Sequence, residues 1–259
     1  PVKPAGPDHY GGDRLGDNLF SNALVALDAA TGQRIWHFQT VHHDVWDHDL
    51  AAPPNLVRVR REGRAIDAVV QLTKMGFAFV FDRVTGAPLF PIEERPVAHD
   101  SELAGERLSP TQPVPLKPAP LVPQTLTEKD LSQAHPRLAR CRKRLASLRN
   151  DGIFTPPAEH GSILYPGPIG GANWSGGAFD PQTGYLYVPT NNLALTLRLK
   201  KLPAENFNRT DDVILHSGLR ALDWLFNGTG TGLRYHVVER ELFAEGGIPC
   251  HRPPWGMLS

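Results

Sequence analysis

Residues 23–36 read ALVALDAATGQRIW, residues 77–89 read FAFVFDRVTGAPL and residues 177–188 read GAFDPQTGYLYV. Each stretch holds a short apolar run, an Asp, two variable residues, then Thr-Gly, then a second run. Gly32, Gly86 and Gly184 fall where a tight hairpin needs positive φ. Asp28, Asp82 and Asp180 can accept hydrogen bonds from the turn amides. In the first copy Leu24, Ala26 and Asp28 alternate with Val25 and Leu27. Both faces of that strand are largely apolar, so it is expected between two layers. Trp36 returns on the second strand as a large packing group. Three copies of one Asp-x-x-Thr-Gly unit point to a β-propeller.

The copies are unevenly spaced. Asp28 and Asp82 lie 54 positions apart, Asp82 and Asp180 98. The longer interval holds an insertion at about 91–150. Its first part, PIEERPVAHDSELAGERLSPTQPVPLKPAPLVP, is Pro-rich and aperiodic, and predicts an extended surface segment. Its second part, near 127–150, predicts helix. Thr127 with Asp130 resembles a capping box, Pro136 can open a further helix, and Leu138, Cys141, Leu145 and Leu148 make one apolar stripe. Arg137, Arg140, Arg142, Lys143, Arg144 and Arg149 surround the stripe, as a solvated face or as an anion or partner site. Further on, LALTLRLKKL can form a strand and DDVILHSGLRALDWLF a helix. GTGTGL at 228–233 is a turn cluster and lacks the Lys-Ser/Thr pair of a P-loop.

Gly and Pro number 24 and 25 in 259 residues, which argues for many turns and against an all-helical chain. Five Trp and eleven Phe need burial, which argues against disorder. Lys plus Arg and Asp plus Glu balance at 27 each, so the basic excess of a nucleic-acid binder is missing. No apolar run approaches the roughly 20 residues of a membrane helix, and no targeting leader opens the sequence. Cys141 and Cys250 allow one disulfide or two free thiols; the sequence does not choose.

Polar chemistry concentrates in TVHHDVWDHDLAAPP, residues 40–54. Three His, three Asp and a Trp fall between His42 and Asp49. A loop here can turn several side chains into one cavity. Asp47 or Asp49 can serve as general base or metal ligand, and His42, His43 or His48 can orient a carboxylate; the spacing does not fit a closed zinc site. A network of turn and capping residues is the plainer alternative. Lys74 follows the apolar run Ala68–Leu72, where a cation needs water or a fixed anion. In GPIGGANWSGGAF, residues 167–179, the glycines let backbone approach a flat ligand. Asn173 offers a donor and an acceptor there, and Trp174 an aromatic plane or a packing group.

Together HHDVWDHD, LTKMGFAFVFDRVTG, GGANWSGG and GIPCHRPPWG resemble the membrane-bound glucose and quinate dehydrogenase branch of the pyrroloquinoline-quinone (PQQ)-dependent dehydrogenases, over nearly the whole chain. The resemblance implies an eight-bladed propeller of four-stranded antiparallel blades. It implies that Asp47 is the general base, that Lys74 acts in catalysis and contacts the quinone, and that Asn173 and Trp174 lie in the cofactor cavity. It further implies a bridging Ca²⁺ (or Mg²⁺), a small cyclic polyol, sugar or quinate-like substrate, and a membrane quinone as electron acceptor. The parent protein would work at the periplasmic side of the inner membrane.

Eight blades at roughly 45–50 residues each need more chain than this. The expected fold class is therefore all-β: one domain over 1–259, a partial propeller of about three to four blades with a helical insertion. Pro7-Asp8 matches a family turn, but the Gly-Asn step that precedes it in relatives, with a metal-ligating Asn, is replaced by Val2-Lys3-Pro4-Ala5-Gly6. The metal ligands are thus not assigned. The other reading is a non-catalytic propeller segment that self-associates through its end blades or acts as a scaffold.

Overall fold

The computed structural model describes residues 1–202 and 235–259. The expected helix at 211–226 and the turn cluster at 228–233 lie outside the described residues. The architecture is all-β, built of small antiparallel sheets with one helical insertion. No helix among the described residues is long and apolar enough to cross a membrane.

The repeated unit folds as its residues dictate. Strand β1 (Ala23–Leu27) pairs with β2 (Arg34–Gln39), with a bulge at Ala26/Leu27. Asp28 Oδ1 accepts from the Ala30 and Thr31 amides at 3.1 and 2.8 Å, and Asp82 Oδ1 accepts from Val84 and Thr85, both at 2.9 Å. Asp180 accepts from the Gln182 amide and the Thr183 hydroxyl at 2.8 and 2.6 Å. These bonds hold all three carboxyls below the usual range. In each copy the Gly amide donates to the Asp carbonyl, and the glycines have φ of 71–77°. The copies differ in their return strands. After Asp82 the return is a Phe81–Pro88 bridge, with the Asp82 amide bonded to the Ala87 carbonyl and the Leu89 amide to the Val80 carbonyl.

Strands β3 (Asn55–Arg61), β4 (Arg64–Leu72) and β5 (Ala78–Asp82) form a sheet with no wet face at its centre. Val69, Phe79 and Phe81 enter one core with Leu24, Val41, Val45, Trp46 and Met75. Ala68, Val70, Leu72, Ala78 and Val80 enter a second, with Val57, Ala172 and Val188. Alternation sends successive side chains to opposite faces, and here both faces are covered. Trp36 docks the first hairpin onto this sheet. Its indole N–H donates to the Arg83 carbonyl at 3.1 Å, and a Cβ on Gly86 would stand 2.6 Å from its ring.

The insertion departs from expectation in its first half. The Pro-rich stretch is not merely extended: β6 (Ile92–Pro96) and β7 (Thr111–Pro115) pair as a hairpin, and Leu103, Leu108 and Val114 are buried in the first core. Both strands end at Pro, and Pro113 sits inside β7; each strand of a two-stranded sheet has an open edge, where a Pro is tolerated. In the second half Thr127 and Asp130 bond at both the amide and the hydroxyl, but they close a single 3₁₀ turn, Glu128–Asp130. Helix α1 follows at Leu138–Ser147, with Cys141 and Leu145 buried.

Strands β8 (Ser162–Leu164), β12 (Leu195–Lys201) and β13 (Tyr235–Leu242) make a second three-stranded sheet, ordered β13-β12-β8. Between β8 and β12 come β9 (Ala178–Asp180), β10 (Tyr185–Tyr187) and β11 (Pro189–Asn191). After β13 come β14 (Ala244–Glu245), β15 (Ile248–Pro249) and β16 (Gly256–Leu258), which pairs with β11. The sheets among the described residues have two or three strands, where four per blade were expected.

Cys141 and Cys250 form a disulfide with Cα atoms 5.6 Å apart, which settles the alternative left open by the sequence. It ties α1 to the loop after β15. His135 sits beside it, with Nδ1 3.7 Å from Cys141 Sγ. His135, Cys141 and Cys250 have the spacing of metal ligands, but the sulfur atoms are committed to each other. The arginines of this region are mostly paired. Arg144 reaches Glu239, Glu241, Thr196 and the Ala244 carbonyl, and Arg149 holds Asp100 and Asp151.

Candidate active site

Loop 40–49 divides its polar residues between structure and site. Asp44 is fully buried. It accepts from the Trp46 and His48 amides at 2.8 and 2.9 Å and from Asn22 Nδ2 at 2.8 Å, which folds the loop on itself. Its carboxyl is pushed up by burial, against those bonds. His43 is buried between the Gly16 carbonyl and Glu106, each at 2.7 Å, and His42 meets Glu94 at 3.1 Å. Trp46 is buried, donates to the Thr155 carbonyl at 2.8 Å and stacks on His48. Burial holds His48 down to about 3, so that ring stays neutral at neutral pH. His42 and His43 thus orient carboxylates of the insertion, and not Asp47 or Asp49.

Asp47 and Asp49 turn the other way, onto Lys74. Lys74 Nζ lies 3.1 Å from Asp47 Oδ1 and 3.0 Å from the Asp47 carbonyl, and it pairs with Asp49 Oδ1. The Lys74 side chain is 7% exposed and that of Asp47 19%. Lys74 is therefore no edge lysine in water. It stands at the tip of the β4–β5 turn, Thr73–Gly76, closed by a 2.9 Å bond from the Gly76 amide to the Thr73 carbonyl. Burial works against its charge, but the two carboxylates outweigh it and raise its pKa. Asp47 responds oppositely. Burial is the largest influence and pushes its carboxyl up to about 7; Lys74 pulls it down, while Asp8 and Asp49 push it further up. Asp47 adopts φ of 60°, a left-handed conformation that Asp tolerates better than most residues.

The glycines of 167–177 serve a purpose the sequence reading did not assign. A Cβ on Gly170 would stand 2.8 Å from Lys74 Cγ, and one on Gly171 2.6 Å from Gly76 Cα. The Gly171 and Ala172 amides donate to the Lys74 and Thr73 carbonyls. The close approach is to the Lys74 turn, not to an empty face reserved for a ligand. Beyond these contacts the loop carries Asn173 and Trp174 to the rim. Asn173 bonds the Ile169 carbonyl and the Trp174 amide, and Trp174 is 81% exposed, so it is no packing group among the described residues.

These elements surround a cavity of about 680 Å³ lined by Asp47, Lys74, Asn173, Trp174, Asn191 and Arg240 among others. Of the residues singled out from sequence, Asp47, Lys74, Asn173 and Trp174 reach it, and Asp49, His42, His43 and His48 do not line it. Asn191 and Arg240 were missed. Asn191 ends the three-residue strand β11, and Arg240 lies on β13, in a run of alternating charges that reads as an ordinary exposed strand. Asn173, Asn191 and the open face of Trp174 line this volume together with Lys74, and suit a flat, carbonyl-bearing cofactor. For a divalent metal the fit is poor. Among the described residues no three His, Cys, Asp or Glu converge at the cavity, and Lys74 already neutralises Asp47 and Asp49.

The chain belongs to the PQQ-dependent dehydrogenases: residues 1–259 match the family described as glucose/ethanol/alcohol dehydrogenase, beta-propeller domain. It is 35% identical over 264 residues to quinate/shikimate dehydrogenase (quinone) of Acinetobacter baylyi, covering 100% of this chain and 32% of that protein. It is 33% identical over 268 residues to quinoprotein glucose dehydrogenase A of Acinetobacter calcoaceticus, covering 98% and 31%. Among solved structures it is similar to quinohemoprotein alcohol dehydrogenase from Comamonas testosteroni, at 26% identity and a TM-score of 0.43, covering 70% and 21%. The chain spans about a third of the length of the curated relatives it matches.

Proposed function

We propose that this chain supplies the base-bearing part of a quinoprotein that oxidises a polyol, sugar or quinate-like alcohol by hydride transfer to PQQ. The observation that carries the reading is Asp47: a half-sheltered carboxylate on the cavity wall, held by Lys74 and titrating near neutrality. Asp47 takes the proton of the substrate hydroxyl as hydride leaves the carbon. Lys74 fixes the Asp47 carboxylate and keeps an ammonium at the cavity floor, where it would offset negative charge on a bound cofactor. Lys74, Asn173 and Trp174 are the residues that would hold the cofactor. Bound PQQ supplies the electron-accepting carbonyl carbon. Ca²⁺ or Mg²⁺ belongs to the proposal only as a cofactor of the whole protein, and no step here depends on it. Electrons would pass to a membrane quinone at the periplasmic side of the inner membrane. Domain 1–259, insertion included, is taken as one unit.

The test is dye-linked oxidation of a sugar, a cyclic polyol and quinate by the full-length protein loaded with PQQ and Ca²⁺. Turnover of at least one is expected, and turnover of none overturns the reading. The pH dependence follows from Asp47. Its protonated form cannot act as base, so kcat/KM should rise with pH through about 7. Lys74→Ala should weaken cofactor binding and lower kcat. Without the ammonium the Asp47 carboxyl loses its main stabilising charge, so the rising limb should move to higher pH. A pH profile that is flat from 5 to 8 in both proteins would contradict the assignment.

The isolated 259-residue chain is proposed to self-associate. Ile35 and Leu56 on the strands and Val84 in the turn after β5 are large apolar side chains left exposed. Light scattering at micromolar concentration should show species larger than a monomer, and a clean monomer over a wide concentration range would refute this.

A further inference from the structure

Arg240 is the cavity cation whose fork makes no hydrogen bond among the described residues. On β13 its neighbours Glu239 and Glu241 both reach Arg144, while Arg240 lies on the opposite side of the strand and lines the cavity. Its nearest ionic partner is Asp47 Oδ2 at 3.8 Å, beyond hydrogen-bond reach, and its side chain is 47% exposed. Lys74, by contrast, is committed to Asp47 and Asp49. Glu241 also borders the cavity, but its carboxylate is held by Arg144.

A guanidinium presents N–H donors in a planar fork that matches a carboxylate. Resting on the dehydrogenase reading above, we propose that Arg240 is a specificity-determining residue that selects alcohols carrying a carboxylate, that is, small hydroxy acids. Arg240 and the base Asp47 are neighbours on one wall. A substrate that gives its hydroxyl proton to Asp47 therefore reaches Arg240 with a carboxylate only a few bonds from that hydroxyl. A neutral alcohol of the same shape leaves the fork to water and gains nothing from it. Discrimination is the difference between those two cases.

The test uses the full-length, PQQ-loaded protein with a hydroxycyclohexanecarboxylate and the corresponding carboxamide, which share ring and hydroxyl. The wild type should prefer the acid. Arg240→Gln should lower the acid-to-amide ratio of kcat/KM by roughly 10- to 100-fold, chiefly through the KM of the acid. Arg240→Lys should fall between, since it keeps the charge and loses the fork. An unchanged ratio, or equal losses for acid and amide, overturns the proposal. So does weakened PQQ binding on fluorescence titration with the ratio intact, which would assign Arg240 to the cofactor. If the wild type oxidises neither compound, the dehydrogenase reading stands or falls on the sugar, polyol and quinate assay above. Calorimetric binding of cyclohexanecarboxylate then decides this one: binding lost in Arg240→Gln supports it, and equal or absent binding in both proteins overturns it.

Discussion

In the full-length protein, Asp47→Asn is expected to lower kcat by roughly 10²–10⁴-fold while PQQ affinity and substrate KM change little. Asparagine keeps the size of the side chain and an oxygen that can still accept from Lys74, which lies 3.1 Å from Oδ1. It also tolerates the left-handed backbone of this position, φ 60°, so the loop is not strained by the exchange. What it loses is the ability to take a proton. The split between kcat and cofactor affinity separates loss of a base from loss of a binding site. Activity close to that of the wild type would remove Asp47 from the role. Asp49, on the other side of the same ammonium, would be the next residue to replace.

The second large effect concerns stability. Cys141 and Cys250 are 109 positions apart, so their link closes a long loop and restricts the unfolded chain strongly. Replacing both by Ser should destabilise the protein by about 2–5 kcal/mol, read as a lower unfolding midpoint. Both half-cystines are fully buried among Leu126, Leu131, Ile163 and Phe243, so the serine hydroxyls add the cost of polar groups in an apolar cluster. Thiol titration of the denatured, unreduced protein should find none free. Two titratable thiols and an unshifted midpoint in the variant would refute the link.

The repeated hairpin was legible because its signal is local. An Asp that bonds the amides two and three residues on, and a Gly at positive φ, announce themselves within five positions. Asp47, Lys74, Asn173 and Trp174 were legible through motif resemblance, and the structure brings all four to one cavity. The position of Lys74 was not, because a turn between two apolar strands reads like the strands themselves. The β6–β7 hairpin was hidden by its prolines, which mark a strand end as readily as an irregular segment. Arg240 left no trace in the sequence. The role proposed for it rests on which neighbour it meets across the fold, 193 positions from Asp47. The pairing of the cysteines, likewise, needed three-dimensional proximity to decide.

Gly170 and Gly171 rest directly on the Lys74 turn, and this divides the cavity rim for anyone who would reshape it. A side chain added at either glycine would press on the backbone that aims the ammonium, so altered substrate scope would arrive together with a damaged reaction centre. Pro168, Ile169 and Ser175 border the same opening. A library aimed at bulkier or more polar alcohols should therefore vary those three and leave the glycine pair fixed. The loop is half interchangeable lip and half bearing surface, and only the lip is free to be redesigned.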